Sequence, residues 1–210
     1  MRNIKQLKLL IRILEQFADE ANIKLSDIMT DGARDRLVLA SGGVARDFLT
    51  LFRRAVELAR ERVLNKDLSR GDRVGAEDVN KAAGAYYDHK TDELKRDTGD
   101  ADRDELLGEI DKIRKFCIDQ TGSNCILIEK DLNNSLSNYI NELVDLKFLH
   151  HARSRVTVRN REGRLYDAFM LDLSFYTGER KRRELDMIEF WRSGEDDQLR
   201  KSKIIYAERT

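Results

Sequence analysis

Apolar side chains recur every three or four residues through the first part of the chain, which predicts amphipathic helices. A first helix is expected to end near Asn22, after an apolar stripe of Ile4, Leu7, Ile11, Leu14, Ala18 and Ala21. A short helix is expected from about Gly32 to Ala40. Ser41-Gly42-Gly43 then interrupts the pattern. A long helix should run from Val44 to about Leu64, with a buried side formed by Val44, Phe48, Leu51, Phe52, Ala55 and Ala59.

The helical pattern continues up to residue 96. After a polar loop, Glu77 and Asp78 favour the N-terminal end of another helix, because acidic side chains stabilise the positive end of the helix dipole. That helix should run to about Lys95. The acidic segment Arg96–Asp102, which contains a glycine, predicts a domain boundary. We therefore expect a helical domain over residues 1–96 and a second domain over residues 97–210.

In the second domain the pattern changes from helix to strand. One helical face carries Leu106, Ile110, Ile113 and Cys117, and Cys125–Ile128 is a short apolar run that predicts a strand. Asn133 or Asn134 can cap a following helix that ends at about Lys147. Its inward side chains are expected to be Leu136, either Tyr139 or Ile140, and Leu143.

A β-hairpin is expected next, because polar and apolar residues alternate from residue 153 onward. Arg153, Arg155 and Arg159 are expected on one face of the outgoing strand, Asn160–Gly163 forms the turn, and Leu165, Phe169 and Leu171 lie on the returning strand. Helices followed by such a hairpin predict a winged helix. A final helix is expected to carry Arg180, Lys181, Arg182 and Arg183, then Leu185, Ile188, Phe190 and Trp191.

Composition favours a mostly helical protein in the cytoplasm. The chain has 210 residues and no proline, and no apolar run approaches the ~20 residues that span a bilayer, so we expect no membrane partner. Cys117 and Cys125 do not form a Cys-x-x-Cys motif, which indicates thiols in a reducing compartment. Three histidines and two cysteines so placed predict no metal site.

The formal net charge of +0 conceals a segregation of charge along the chain. Residues 97–145 contain 12 acidic and 5 basic side chains, a balance of −7. Residues 153–183 contain 9 basic and 4 acidic side chains, a balance of +5. A uniformly solvated charged surface is the alternative, and it explains such a segregation of signs less well.

Arg46 is the first candidate for binding a phosphate. At about 100° per residue it lies roughly 200° around the helix from Val44, so it points away from the apolar stripe of its own helix. A guanidinium at a glycine-flanked helix start can clamp a phosphate. The alternative is a surface arginine beside a Ser41 N-cap and a glycine turn.

The stretch from Arg34 to Arg62 resembles the lid of AAA+ ATPases of the origin-recognition and replication-initiator type, in particular their bacterial relatives. In that family a Gly-x-x-Arg at the start of a lid helix carries the sensor-2 arginine, and Gly43-Val44-Ala45-Arg46 matches this pattern. Val74–Tyr87 resembles the closing lid helix, and residues 142–158 resemble the winged helix that ends such proteins. The resemblance implies nucleotide sensing by Arg46 and Gly43.

The motifs of an ATPase core are missing from the chain. It contains no G-x-x-x-x-G-K-[ST] phosphate loop and no apolar strand that ends in Asp-Glu. Asp19-Glu20 is the nearest such string, but it lies in a predicted helix. Together with these missing motifs, the resemblance implies either a C-terminal fragment of a longer ATPase or a relative that has lost the motor, and we expect the fragment. It should not hydrolyse ATP alone, and ATP and Mg²⁺ would belong to the intact ATPase.

The predicted wing is the first candidate for binding double-stranded DNA, because its arginines can neutralise backbone phosphates. These residues are Arg153, Arg155, Arg159, Arg161 and Arg164, and the basic run Arg180, Lys181, Arg182 and Arg183 could extend the surface. The alternative is a hairpin edge protected by charge. The predicted recognition helix carries Glu142 and Asp145 and no arginine, which argues against sequence-specific reading.

Three functions remain open at this point. The first is the nucleotide-sensing lid and DNA-binding winged helix of an AAA+ ATPase, with an ATPase core domain or other subunits as protein partners. The second is a helical adaptor that docks protein subunits without binding DNA, which the acidic recognition helix favours. The third, a stand-alone winged-helix transcription regulator, ranks last because the sequence offers no clear dimer interface.

Overall fold

A computed structural model describes residues 2–97, 100–130, 135–177, 185–189 and 195–207. The protein is mostly helical and carries a small three-stranded antiparallel sheet. Its chain divides into two compact units: Met1–Tyr86 with Tyr176–Lys181, and Tyr87–Phe175 with Arg182–Thr210. The predicted boundary between residues 96 and 97 stays a prediction. No helix in the described part of the chain is long and apolar enough to cross a membrane.

The first unit is built from helices. They are α1 (Arg2–Glu20), α2 (Leu25–Ile28), α3 (Asp31–Ser41), α4 (Ala45–Leu64) and the start of α5 (Ala76–Asp97). Thr30 begins α3, because its side-chain oxygen accepts a hydrogen bond from the Ala33 N–H at 3.2 Å. Gly42 ends α3 in the left-handed conformation, with φ of 54°, which glycine adopts without steric cost.

The buried face of α1 differs from the predicted stripe. Leu10, Leu14 and Ala18 are buried, whereas Ala21 lies past the end of the helix and is exposed. Leu9 and Phe17 on α1 are apolar but 54% and 52% exposed. Apolar residues occur on two sides of this helix, so their spacing alone does not identify the side that packs.

A buried ion pair fixes the loop between α4 and α5. The Arg62 guanidinium lies 3.2 Å from an Asp78 carboxylate oxygen, and both side chains are at most 4% exposed. Arg62 also donates to the carbonyl oxygens of Asp67, Gly71 and Arg73. Asp78 accepts a 2.9 Å hydrogen bond from the Gly75 N–H. A single guanidinium thereby binds several backbone groups of a polar loop that has few apolar side chains to hold it.

The second unit combines helices with the sheet. After α5 come α6 (Asp100–Lys115), a π-helical turn (Phe116–Thr121), β1 (Cys125–Glu129), α7 (Ser135–Asp145), β2 (Leu149–Val156) and β3 (Tyr166–Leu171). The strand order is β1-β3-β2, and both pairings are antiparallel. Leu136, Ile140 and Leu143 of α7 are buried, so Ile140 and not Tyr139 faces inward.

The predicted final helix is wrong over residues 185–189, which are not helical. Asp186 instead pairs with Ser123 in an isolated β-bridge and donates its N–H to the Gly122 carbonyl at 2.7 Å. Past it, short 3-10 turns cover Glu195–Arg200 and Ser202–Ile204. Ile188, which the sequence pattern placed on a helical stripe, is therefore buried from an irregular segment.

A second buried charge cluster lies inside this unit. The Lys90 ammonium is 2.7 Å from an Asp172 carboxylate oxygen, and His150 Nε2 is 2.7 Å from the same oxygen. The other oxygen of Asp172 accepts a 3.0 Å hydrogen bond from the Ser174 N–H. Burial raises the pKa of Asp172, but the Lys90 charge and the His150 contact outweigh it and hold that pKa well below its usual range.

Candidate functional sites

Arg46 lies in the first turn of α4, where the backbone conformation depends on glycine. Gly43 has a φ of 86°, which a residue with a Cβ adopts only with strain. Val44 then takes an extended conformation as the N-cap and provides no side-chain cap. The first N–H groups of α4 therefore face no capping side chain, and such groups attract anions.

The Arg46 side chain points into solvent, and 81% of it is exposed. Its Nε lies 3.6 Å from the carboxylate of the neighbouring Asp47, which is buried and also 3.5 Å from the Tyr86 hydroxyl. The guanidinium tip is thus accessible to a ligand. This arrangement agrees with the expectation that Arg46 points away from its own apolar stripe, and its role in nucleotide sensing stays a prediction.

The alternative that Ser41 caps α4 is wrong. Ser41 is the last residue of α3, and its hydroxyl donates to the Val38 carbonyl at 3.0 Å and accepts from the Gly43 N–H at 3.4 Å. The serine therefore stabilises the turn between the two helices. Val44 stands at the capping position instead.

The β2–β3 hairpin carries the predicted wing arginines. Arg155 lies in a bulge, because Arg153 pairs with Ala168 and Val156 with Tyr166, which leaves two residues of β2 opposite one of β3. Arg155 has a φ of 57°, and its N–H donates to the Asp167 carboxylate at 3.1 Å. A side chain of β3 therefore holds Arg155 in a backbone conformation that is otherwise unfavourable.

The predicted single strand face of Arg153, Arg155 and Arg159 is wrong. The strand ends at Val156, its register shifts twice, and Arg159 lies in the turn that follows. Bulges break the two-residue alternation on which the prediction depended. Arg155, Arg159 and Arg161 are nevertheless all exposed. Within the described residues, none of these three side chains forms an ion pair.

Arg164 is in a different electrostatic environment. Its guanidinium lies 3.0 Å from the Glu129 carboxylate at the end of β1. The pair is partly exposed, so it compensates much of the positive charge without fixing the side chain strongly. Arg164 is therefore a weaker candidate for binding an anion than Arg155, Arg159 or Arg161.

The exposed side of α7 is acidic and polar. Asn138, Asn141, Glu142 and Asp145 are exposed, and the Tyr139 hydroxyl donates to Glu105 of α6 at 2.6 Å. The neighbouring Glu105 raises the pKa of Tyr139. This helix contains no Lys or Arg, which supports the expectation that it makes a poor anchor in a DNA groove.

The basic run Arg180, Lys181, Arg182 and Arg183 lies outside the described residues. The part of the chain that is described contains no group of three or more His, Cys, Asp or Glu side chains arranged to hold a metal ion. Sequence analysis missed another set of cations, Arg200, Lys201 and Lys203. The signal was present, since three basic residues fall within four positions.

Comparisons of the chain with protein-family models, with curated proteins and with solved structures give no match.

Proposed function

We propose that this chain is the nucleotide-sensing lid and the DNA-binding winged-helix part of an AAA+ ATPase. The observation that carries the proposal is the exposed hairpin turn, in which Arg155, Arg159 and Arg161 are solvent-accessible and form no ion pair with any residue that the structure describes. The hairpin closes the chain order α6, β1, α7, β2, β3. Helices followed by an antiparallel hairpin support the winged helix that the sequence predicts. Exposed arginines on a hairpin turn suit the phosphate backbone of a duplex.

Arg46 would contact the nucleotide phosphates in the intact ATPase. Its exposed guanidinium and the α4 N-terminus without a side-chain cap both favour an anionic ligand. ATP and Mg²⁺ would be held by the ATPase core, because this chain has no phosphate loop. Nucleotide state would then alter the position of the lid and, through it, the hold on DNA.

The test of the DNA part is fluorescence anisotropy with a labelled 20-base-pair duplex. The variant replaces Arg155, Arg159, Arg161 and Arg164 with alanine. Its matched control replaces four exposed cations of the first unit with alanine: Arg12, Arg53, Arg60 and Lys81. We expect the wing variant to lose more than tenfold in affinity, since one phosphate contact contributes roughly eightfold at 0.1 M salt, and the control to change little. Equal losses in the two would overturn the proposal.

A second candidate function is an adaptor that docks protein subunits. The acidic face of α7 favours it, because Glu142 and Asp145 are exposed and would repel phosphates. A folded chain that binds no duplex at low salt would support the adaptor over the DNA-binding function.

A further inference from the structure

Three cations near the C-terminal end lie beside the tip of the wing. A cavity of about 480 Å³ is lined by Arg159 and Asn160 of the wing turn and by Arg200, Lys201 and Lys203 of the 3-10 turns. Asp197 is the one described acidic residue in the lining. Four cations against one carboxylate give this cavity a net positive charge, which suits an anion.

The segment that supplies these cations is anchored to the sheet. Ile205 pairs with Leu127 of β1 in a parallel bridge, and the Tyr206 N–H donates to the Leu127 carbonyl at 2.9 Å. The Tyr206 hydroxyl donates to Glu109 of α6 at 2.7 Å, and Leu199 and Ile204 are fully buried. These contacts cover the outer edge of β1 and fix the path of the backbone that bears Arg200, Lys201 and Lys203.

The cations differ in how far neighbouring groups already satisfy them. Lys201 lies 3.7 Å from the Asp186 carboxylate, and Lys203 donates to the Thr121 carbonyl at 3.3 Å. Among the described residues, Arg159 and Arg200 form no ion pair and no side-chain hydrogen bond, and both are exposed. The two arginines are therefore the ones available to make new charge-assisted hydrogen bonds.

We propose that Arg200, with Lys201 and Lys203, binds a backbone phosphate of the same DNA duplex that the wing contacts, in the cavity shared with Arg159. This inference rests on the proposed function. It adds a contact from the C-terminal segment to those of the hairpin. Two elements that contact the DNA phosphate backbone at neighbouring positions fix the orientation of a duplex better than one hairpin does.

The test compares a positive with a negative charge at position 200 in chains that are otherwise identical. A cysteine replaces Arg200 and is modified with a methanethiosulfonate reagent that carries either an ammonium or a sulfonate group. Cys117 and Cys125 are buried, and burial raises the pKa of both thiols, so they should not react. The control is the same pair of adducts on a cysteine at the exposed position of Arg60 in α4.

We expect the ammonium adduct at position 200 to bind the labelled duplex roughly eightfold tighter than the sulfonate adduct, or more, at 0.1 M salt. At position 60 the two adducts should bind alike. Equal affinities at position 200, in a chain whose binding still depends on Arg155 and Arg161, would overturn this inference and leave the proposed function standing. Absence of binding by the folded wild-type chain would overturn both.

Discussion

At the scale of single residues, the protein buries some of its charged side chains and leaves those at the candidate sites exposed to solvent. Asp172 and Asp78 each satisfy a buried cation, and both are at most 3% exposed. The Arg46 side chain is 81% exposed and lies beside the Asp47 carboxylate. Sequence patterns predicted that Arg46 points outward, because helical periodicity fixes its direction. They did not predict the Lys90–Asp172 pair, since its partners are far apart in the chain.

Replacing Asp172 with asparagine should destabilise the protein by about 3–5 kcal/mol, because the Lys90 ammonium would stay buried without its counter-charge. Urea unfolding monitored by circular dichroism measures this difference. The control is Asp145→Asn at the exposed end of α7, which should stay within about 0.5 kcal/mol of wild type. A small effect of Asp172→Asn would mean that water reaches Lys90.

The same residue predicts the pH dependence of stability. The pKa of Asp172 is lower in the folded protein than the ordinary value of 3.8, so the unfolded chain binds its proton first as the pH falls. The contribution of this carboxylate is therefore present above pH 3.8 and is lost as the pH falls below it. The stability difference between wild type and Asp172→Asn should shrink between about pH 4 and pH 2. A difference that stays constant over this range would contradict the assignment.

Replacing Arg46 with alanine should leave folding intact and remove the response to nucleotide. Because the side chain is largely exposed, the free energy of unfolding should change by less than about 0.5 kcal/mol. In the longer ATPase that the proposed function assumes, the ATP dependence of DNA binding should be lost. Arg53→Ala, farther along α4, is the control and should retain the ATP dependence. Unchanged nucleotide behaviour of the Arg46 variant would contradict the sensor role.

At the scale of elements, the sequence predicted α3, α4, the start of α5 and β1 closely, because their apolar spacing, glycines and acidic first turns act locally. The sequence-based predictions were wrong where tertiary packing determines the local structure. The stripe of α1 is rotated toward Leu10, and β2 contains bulges that place Arg155 outside simple alternation. Residues 185–189 are irregular because they pair with the segment around Ser123. Such non-local pairings leave no periodic signal in the chain.

The loop between α4 and α5 should depend on the shape of the Arg62 side chain and not only on its charge. Lysine cannot reproduce a planar fork that reaches Asp78 and the carbonyls of Gly71 and Arg73 together. Arg62→Lys should therefore cost about 1–3 kcal/mol in urea unfolding, whereas Arg60→Lys, exposed on the same helix, should cost almost nothing. Equal stability of the two variants would show that the backbone contacts contribute little.

At the scale of the whole molecule, charge segregation connects the sequence to the proposed function. The acidic balance of residues 97–145 includes the exposed face of α7, and the basic balance of residues 153–183 includes the hairpin. Composition could predict this separation. It could not predict that Arg200, Lys201 and Lys203 line a cavity with Arg159, because an anchored irregular segment brings them there. The hairpin and this segment together form the surface proposed to bind DNA.

The most direct test of the central claim is the salt dependence of duplex binding by the wild-type chain and by the variant with alanine at Arg155, Arg159, Arg161 and Arg164. Each phosphate contact contributes about 0.9 to the slope of log affinity against log salt concentration. Because three of these arginines form no ion pair with any described residue, the variant's slope should be shallower by roughly 3. A slope unchanged by the four substitutions, or no binding by the folded wild-type chain, would contradict the account.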